Sequence, residues 1–259
     1  MNAAPVAAQV RDGADPPVVL VSGLGEPGGY WQPVVSRLRA GSLTVSYDRP
    51  GIGASPPRPG PRLPLPYSAL AAELAALLER LRIGAPAVLA GHSMGSLIIR
   101  VFAAAWPARV AGMVHVDGSD PRLLAAHPDS STDGAGSGAT EVDFAAGAAE
   151  VLPTGFPELP SIVLARTPGR SGSSPDAPAL DRAWQLAQAS LARRSGSALI
   201  IAADSGHRVP AEAPGLAAFA IDQVVLAVRD GRRAVALDPA QAEAAGGTLT
   251  PLVPAASDR

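Results

Sequence analysis

No cysteine occurs anywhere in the 259 residues, which excludes a disulfide scaffold, thiol catalysis and thiolate metal sites. Nor does any apolar run approach the ~18 residues of a membrane span. The opening MNAAPVAAQVRDGADPP has no basic start followed by a long apolar stretch, so no secretory leader is expected there and the reading is a cytoplasmic protein with no membrane partner. An excess of charge of one sign is missing too. Against 21 basic residues stand 23 acidic ones, a net charge of -2, so nothing electrostatic favours nucleic acid, and a small-molecule substrate is expected instead. The four histidines show no H-E-x-x-H or comparable ligand spacing, which argues against a bound metal. Gly23, Gly25, Gly28 and Gly29 do not follow G-x-G-x-x-G, which argues against a dinucleotide cofactor. No cofactor is expected.

What is present is core material. Apolar residues make up 47% of the chain and charged ones 17%, enough for a single α/β domain over residues 1–259. Six short apolar runs recur: Val18 to Val21, Leu43 to Tyr47, Ala87 to Ala90, Met113 to Val116, Ile162 to Ala165 and Leu199 to Ala202. None has a clean period of two, as expected of strands covered on both faces. Helical stripes lie between them. Leu70, Leu74, Leu77, Leu78 and Leu81 form one, Leu97, Ile98, Val101, Phe102 and Ala105 a second, Leu180, Trp184, Ala187 and Leu191 a third, and Leu216 to Val228 a closing helix. This alternation predicts a mostly parallel, doubly wound sheet. Residues 119–160 interrupt it with Ser, Gly, Asp and Thr, and only Glu141 to Leu152 reads as a short helix there. A small cap or lid is therefore expected in that stretch. Residues 230–259 read as an appendage, either packed or loose.

Residues 86–95, PAVLAGHSMG, run from a buried strand into Gly91-His92-Ser93-Met94-Gly95 and on into a helix, the G-x-S-x-G elbow in its strand-turn-helix context. The glycines relieve a turn in which neighbouring side chains would collide, leaving Ser93 proud of the sheet edge as a candidate nucleophile. On the strength of this elbow the chain resembles the α/β-hydrolase superfamily, and three further segments strengthen the likeness. VVLVSGLGEPGGYW at 18–31 is similar to the superfamily's oxyanion loop, with Ser22 standing where histidine is commoner. The resemblance implies the Leu24 amide as one oxyanion donor, beside the Met94 amide of the elbow. YDRPGIGAS at 47–55 is similar to the turn after the next strand, read here as structural. ADSGHRVPAEAP at 203–214 resembles the loop that carries the catalytic histidine, which makes His207 the candidate general base.

The acid is less plainly marked. The superfamily most often places it after the strand that here reads SIVLART, where no carboxylate follows closely. Asp117 closes MVHVD one strand earlier, rigidly aimed at the same sheet edge as Ser93, and is preferred on that geometry. Asp176 is the alternative, in the loop TPGRSGSSPDAP, with Asp120, Asp181 and Asp204 as further candidates. Among the other histidines, His115 reads as packed core, His92 as a residue that shapes the elbow, and His127 as a solvated loop residue. The expected activity is hydrolysis of a carboxylic ester or a related acyl compound such as a lactone or thioester, or perhydrolysis with the same triad, by a Ser93-His207-Asp117 triad and an acyl-enzyme. A serine at the elbow argues against the carboxylate-nucleophile chemistry of epoxide hydrolases. The rival class is a small-molecule binding protein that keeps the fold and turns over little.

Overall fold

Successive side chains of the strand Ala14–Val21 enter two different cores. Val19 and Val21 pack with Leu70, Leu74, Leu97 and Phe102, while Val18 and Leu20 pack with Trp31, Leu216, Ile221 and Val224. Burial on both faces is why the run VVLV shows no alternation. The same division holds for Leu89 and Val88 in the next strand over.

The computed structural model describes residues 6–60, 63–126, 132–133, 140–170 and 175–251. Its strands are β1 (Ala8–Arg11), β2 (Ala14–Val21), β3 (Ser42–Tyr47), β4 (Ala87–His92), β5 (Val110–Val116), β6 (Thr132–Asp133), β7 (Thr140–Glu141), β8 (Ser161–Ala165), β9 (Ala198–Ala202) and β10 (Gly247–Thr250). Its α-helices are α1 (Gln32–Val35), α2 (Tyr67–Arg80), α3 (Gly95–Ala105), α4 (Pro121–Ala125), α5 (Phe144–Val151), α6 (Ala177–Ser195), α7 (Val209–Glu212), α8 (Pro214–Arg229) and α9 (Pro239–Ala244). One sheet of eight strands runs in the order β1-β3-β2-β4-β5-β8-β9-β10. The six central strands are parallel, and only the edges β1 and β10 pair antiparallel. Helices α2 and α3 supply one apolar layer, α1 and α8 the opposite one, and α6 packs along β8 and β9.

All six predicted runs lie in the central strands. Sequence reading passed over both edge strands, because AQVR and GTLT are short and half solvated and so carry little apolar signal. The chain beyond residue 230 packs as far as it is described: α9 leads into β10, which pairs with β9 from Gly247 opposite Ala202. Between β5 and β8 the chain forms α4, a two-stranded β6-β7 pair and α5, whose N-terminus is capped by Asp143 accepting from the Ala146 amide at 2.8 Å. His127 lies outside the described residues. The third apolar stripe needs correction. Leu180 is 41% exposed, and the buried face of α6 carries Asp181, Gln188, Leu191 and Ala192. The reason is that its first turns cover polar strand ends rather than the core, with Gln188 Nε2 donating to the Gly118 carbonyl at 2.6 Å.

His115 is fully buried in β5, with Nδ1 2.7 Å from Ser96 Oγ. Burial, with Arg100 adding to it, pushes its pKa from 6.5 down to about 3. As pH falls below 6.5 the unfolded chain therefore binds a proton that the folded one refuses, and stability present above that pH is lost progressively toward 3. The full effect is about 1.4 kcal/mol per pH unit. Urea unfolding of His115→Gln between pH 6.5 and 5 should show a distinctly shallower loss than the parent chain, and equal slopes would overturn this account.

Candidate active site

Strands β4 and β5 end side by side, with His92 opposite Val116, so the next residue of each emerges at the same edge. Ser93 and Asp117 are those residues, and both have left-handed backbones, φ 53° and 43°. Such conformations are uncommon for residues with a side chain and mark a turn held by its surroundings. Ser93 is held through its amide, which donates to the Val116 carbonyl at 3.1 Å. A Cβ on Gly91 would stand 2.5 Å from the Gly95 carbonyl oxygen, and one on Gly95 would stand 2.2 Å from that of Val21. Only glycine fits either position, which explains the elbow's sequence in steric terms.

The loop after β9 brings His207 back over this edge. Its Nε2 is 2.9 Å from Ser93 Oγ and its Nδ1 is 2.6 Å from Asp117 Oδ2, so residues far apart in sequence form one hydrogen-bonded line. Asp117 is wholly buried. Its carboxylate is compensated by the Arg166 amide at 3.0 Å, Arg166 Nη1 at 3.4 Å and the indole N–H of Trp184 at 2.8 Å. Each donor favours the ionised form that a buried carboxylate would otherwise resist. Trp184 also sets its ring edge-on to His207, with centroids 5.2 Å apart and planes at 86°, while the Arg166 guanidinium lies 4.6 Å over the indole. Arg166 follows β8, where the superfamily's acid is commoner, and there it serves as a support for the carboxylate one strand earlier.

The loop after β2 lies against the elbow. A Cβ on Gly23 would come within 3.1 Å of Ser93 Cβ, so this backbone approaches as closely as glycine permits. Buried Arg49 holds it from below, donating through Nη1 to the Ser22 carbonyl at 2.7 Å and through Nη2 to that of Gly23. Asp48 accepts from the amides of Gly28 at 2.7 Å and Ala54 at 2.8 Å, which is the structural role expected of the Asp-Arg turn. The amides of Leu24 and Met94 make no hydrogen bond within the described residues.

The remaining acidic candidates lie elsewhere. Asp176 is exposed at the start of α6 and makes no capping hydrogen bond. Asp120 caps α4, accepting from the Arg122 amide at 2.8 Å; Asp181 accepts from the Gly169 amide at 2.7 Å and pairs with Arg166; and Asp204 pairs with Arg170 at the surface. Sequence reading missed Arg166, Trp184, Glu26 and Ser119, whose Oγ is 3.2 Å from that of Ser93. For Arg166 a signal existed, its place directly after a central strand. Trp184 was read only as part of an apolar stripe.

A cavity of about 470 Å³ opens above Ser93 and His207, walled by Leu123, Leu124, Leu180 and Trp184, with Arg166 and Arg170 at one side. A larger concavity of about 670 Å³ lies against α8 and α9; its lining has no hydroxyl or imidazole, and its carboxylate, Asp222, accepts from the amides of Arg39 and Ala40 at 2.9 and 3.0 Å. Among the described residues no cluster of three or more His, Asp or Glu could hold a metal ion, and no helix is long and apolar enough to cross a membrane.

A family described as alpha/beta hydrolase fold matches residues 16–144. Solved structures agree over more of the chain. A thermophilic esterase from Thermogutta terrifontis superposes with a TM-score of 0.61 at 21% identity, covering 86% of this chain and 93% of that one. The monoacylglycerol lipase of Paleococcus ferrophilus gives 0.50 at 19%, covering 71% and 84%. These likenesses establish the fold. The chain has the α/β-hydrolase fold, and the family match lies within residues 16–144. At the sequence level it is similar to proteins named Putative carbamate hydrolase RutD: 39% identical over 103 residues in Pantoea ananatis strain LMG 20103, and 33% over 106 in Azorhizobium caulinodans strain ATCC 43989. These matches cover 39% and 41% of this chain, and 36% and 38% of the relatives, so the likeness spans little more than a third of their length.

Proposed function

We propose that this protein is a serine hydrolase that cleaves a carboxylic ester or related acyl substrate through Ser93, His207 and Asp117. The observation that carries this reading is the unbroken line from Ser93 Oγ to His207 Nε2 and from His207 Nδ1 to the buried Asp117 carboxylate. A neutral His207 takes the serine proton as Oγ attacks the carbonyl carbon, and Asp117 stabilises the imidazolium that forms. The Leu24 and Met94 amides receive the negative charge on the carbonyl oxygen. His207 returns the proton to the departing alcohol, leaving an acyl-Ser93 ester. Water, deprotonated by the same imidazole, attacks that ester, and His207 passes the proton to Ser93 Oγ as the acid leaves. Helix α4 acts as part of a small cap, with Leu123 and Leu124 forming the apolar wall for the acyl group.

Carbamate cleavage is the second reading, favoured by the name that the partial relatives carry. A panel of p-nitrophenyl esters of increasing chain length, run beside the matching p-nitrophenyl carbamates, separates the two. We expect ester turnover and stoichiometric labelling by a fluorophosphonate. Faster carbamate turnover would move the substrate assignment. Wild-type turnover in His207→Ala would remove His207 as the base. Folded protein that resists the fluorophosphonate would favour a binding protein.

A further inference from the structure

His92 sits at the junction of three loops and makes one hydrogen bond through each ring nitrogen. Its Nε2 lies 2.8 Å from the backbone carbonyl oxygen of His207. A carbonyl only accepts, so Nε2 carries a proton. Its Nδ1 lies 2.9 Å from Glu26 Oε2. A bare Nδ1 facing an ionised carboxylate at that distance would oppose two lone pairs. One further proton therefore lies between them, on the ring or on the carboxyl group. His207 has no such surplus, because Nδ1–H donates to Asp117 and Nε2 accepts from the Ser93 hydroxyl.

The pair is enclosed. The His92 side chain is 2% exposed and that of Glu26 22%, and the His92 ring stacks 4.9 Å from that of His207 and 5.3 Å from that of Tyr30. A Cβ on Gly23 would stand 3.0 Å from Glu26 Oε2 and 3.1 Å from His92 Nδ1, so a glycine is what lets the two meet. The charged groups facing them come from several elements. Arg49 binds the Ser22 and Gly23 carbonyls beneath, Arg208 lies 5.6 Å over the Tyr30 ring, Glu212 accepts from the Gly206 amide at 2.6 Å, and Asp117 stands behind His207.

We infer that Glu26 and His92 form a proton-sharing clasp that ties the Leu24 loop to the His207 loop and holds His207 in place for turnover. Both are positioning residues. The clasp joins the loop of the proposed oxyanion donor to the backbone of the proposed base, so its effect on turnover rests on the Ser93-His207 reading. Its existence does not.

The test is kcat and KM at neutral pH for wild type, Glu26→Gln and Glu26→Ala, paired with proton NMR of the exchangeable imidazole protons of wild type, Ser93→Ala and Glu26→Ala. Glutamine can donate an amide N–H to a neutral Nδ1, closing the clasp without the shared proton. Glu26→Gln should therefore keep neutral-pH kcat within about threefold of wild type. Glu26→Ala should lose about tenfold or more in kcat at neutral pH with KM little changed, because the contact that positions His207 is gone. A low-field proton assigned to His92 Nδ1 or its Glu26 partner should persist in Ser93→Ala and vanish in Glu26→Ala. Glu26→Ala turnover equal to wild type, or a His92 ring without that proton, overturns the clasp. If Ser93→Ala instead keeps wild-type turnover, the nucleophile assignment falls, and the NMR comparison still decides whether the clasp exists.

Discussion

Ser93→Ala is expected to lower ester turnover by about 10⁴-fold or more and to abolish fluorophosphonate labelling, while changing the unfolding free energy by less than about 1 kcal/mol. The kinetic loss is large because, among the described residues, no other hydroxyl is placed to take the role. Ser119 Oγ is 3.2 Å from Ser93 Oγ, but Ser93 is the serine that His207 Nε2 faces. Residual turnover from oriented amides and the bound substrate would remain. The fold should tolerate the change because the turn is held by the Ser93 amide and the flanking glycines, none of which the substitution touches. Steady-state kinetics and urea unfolding on the same preparation check both halves. Turnover near the wild-type rate would show that the nucleophile lies elsewhere.

Asp117→Asn should be almost as damaging, lowering kcat by about 10⁴-fold. An asparagine here would still meet the amide of Arg166 and the indole of Trp184 with its carbonyl oxygen, since both now donate to Asp117 Oδ1. Its NH₂ group would then face His207 Nδ1, which could accept only by giving up its proton. The neutral ring would carry its proton on Nε2 instead and could no longer accept from Ser93. Arg166 would lose its contact with Asp117 Oδ2 and keep the one with Asp181, so a stability loss of about 1–3 kcal/mol accompanies the kinetic one. Circular dichroism and urea unfolding separate the two effects. Asp176→Asn is the matched control and should stay within about twofold of wild type, since that carboxylate is exposed at the start of α6. A crippled Asp176→Asn beside a near-normal Asp117→Asn would reverse the assignment of the acid.

The elbow was legible because its cause is local. Gly91 and Gly95 are excluded from bearing a Cβ by backbone within a few residues or on the adjoining strand, and the motif's strand and helix flanks are contiguous with it. The central strands were legible because burial on both faces makes each a short apolar run, and α2 and α3 because each buries one continuous stripe. Asp117 could be singled out, since a residue at the tip of a central strand must emerge at the shared edge whatever the loops do.

What the sequence determined by itself is thus the sheet's middle, the elbow, and which residues stand at strand tips. Tertiary structure decided the rest. Edge strands β1 and β10 exist because β3 and β9 offer unpaired backbone groups, not because AQVR or GTLT demand extended chain. The inner face of α6 is polar because Arg166 and Gly118 lie beneath it. The partners of Asp117, and the meeting of Glu26, His92 and His207, join residues 49 to 115 positions apart. Such contacts have no period or spacing, since a buried hydrogen bond depends on where chain segments cross, and only the folded molecule specifies that.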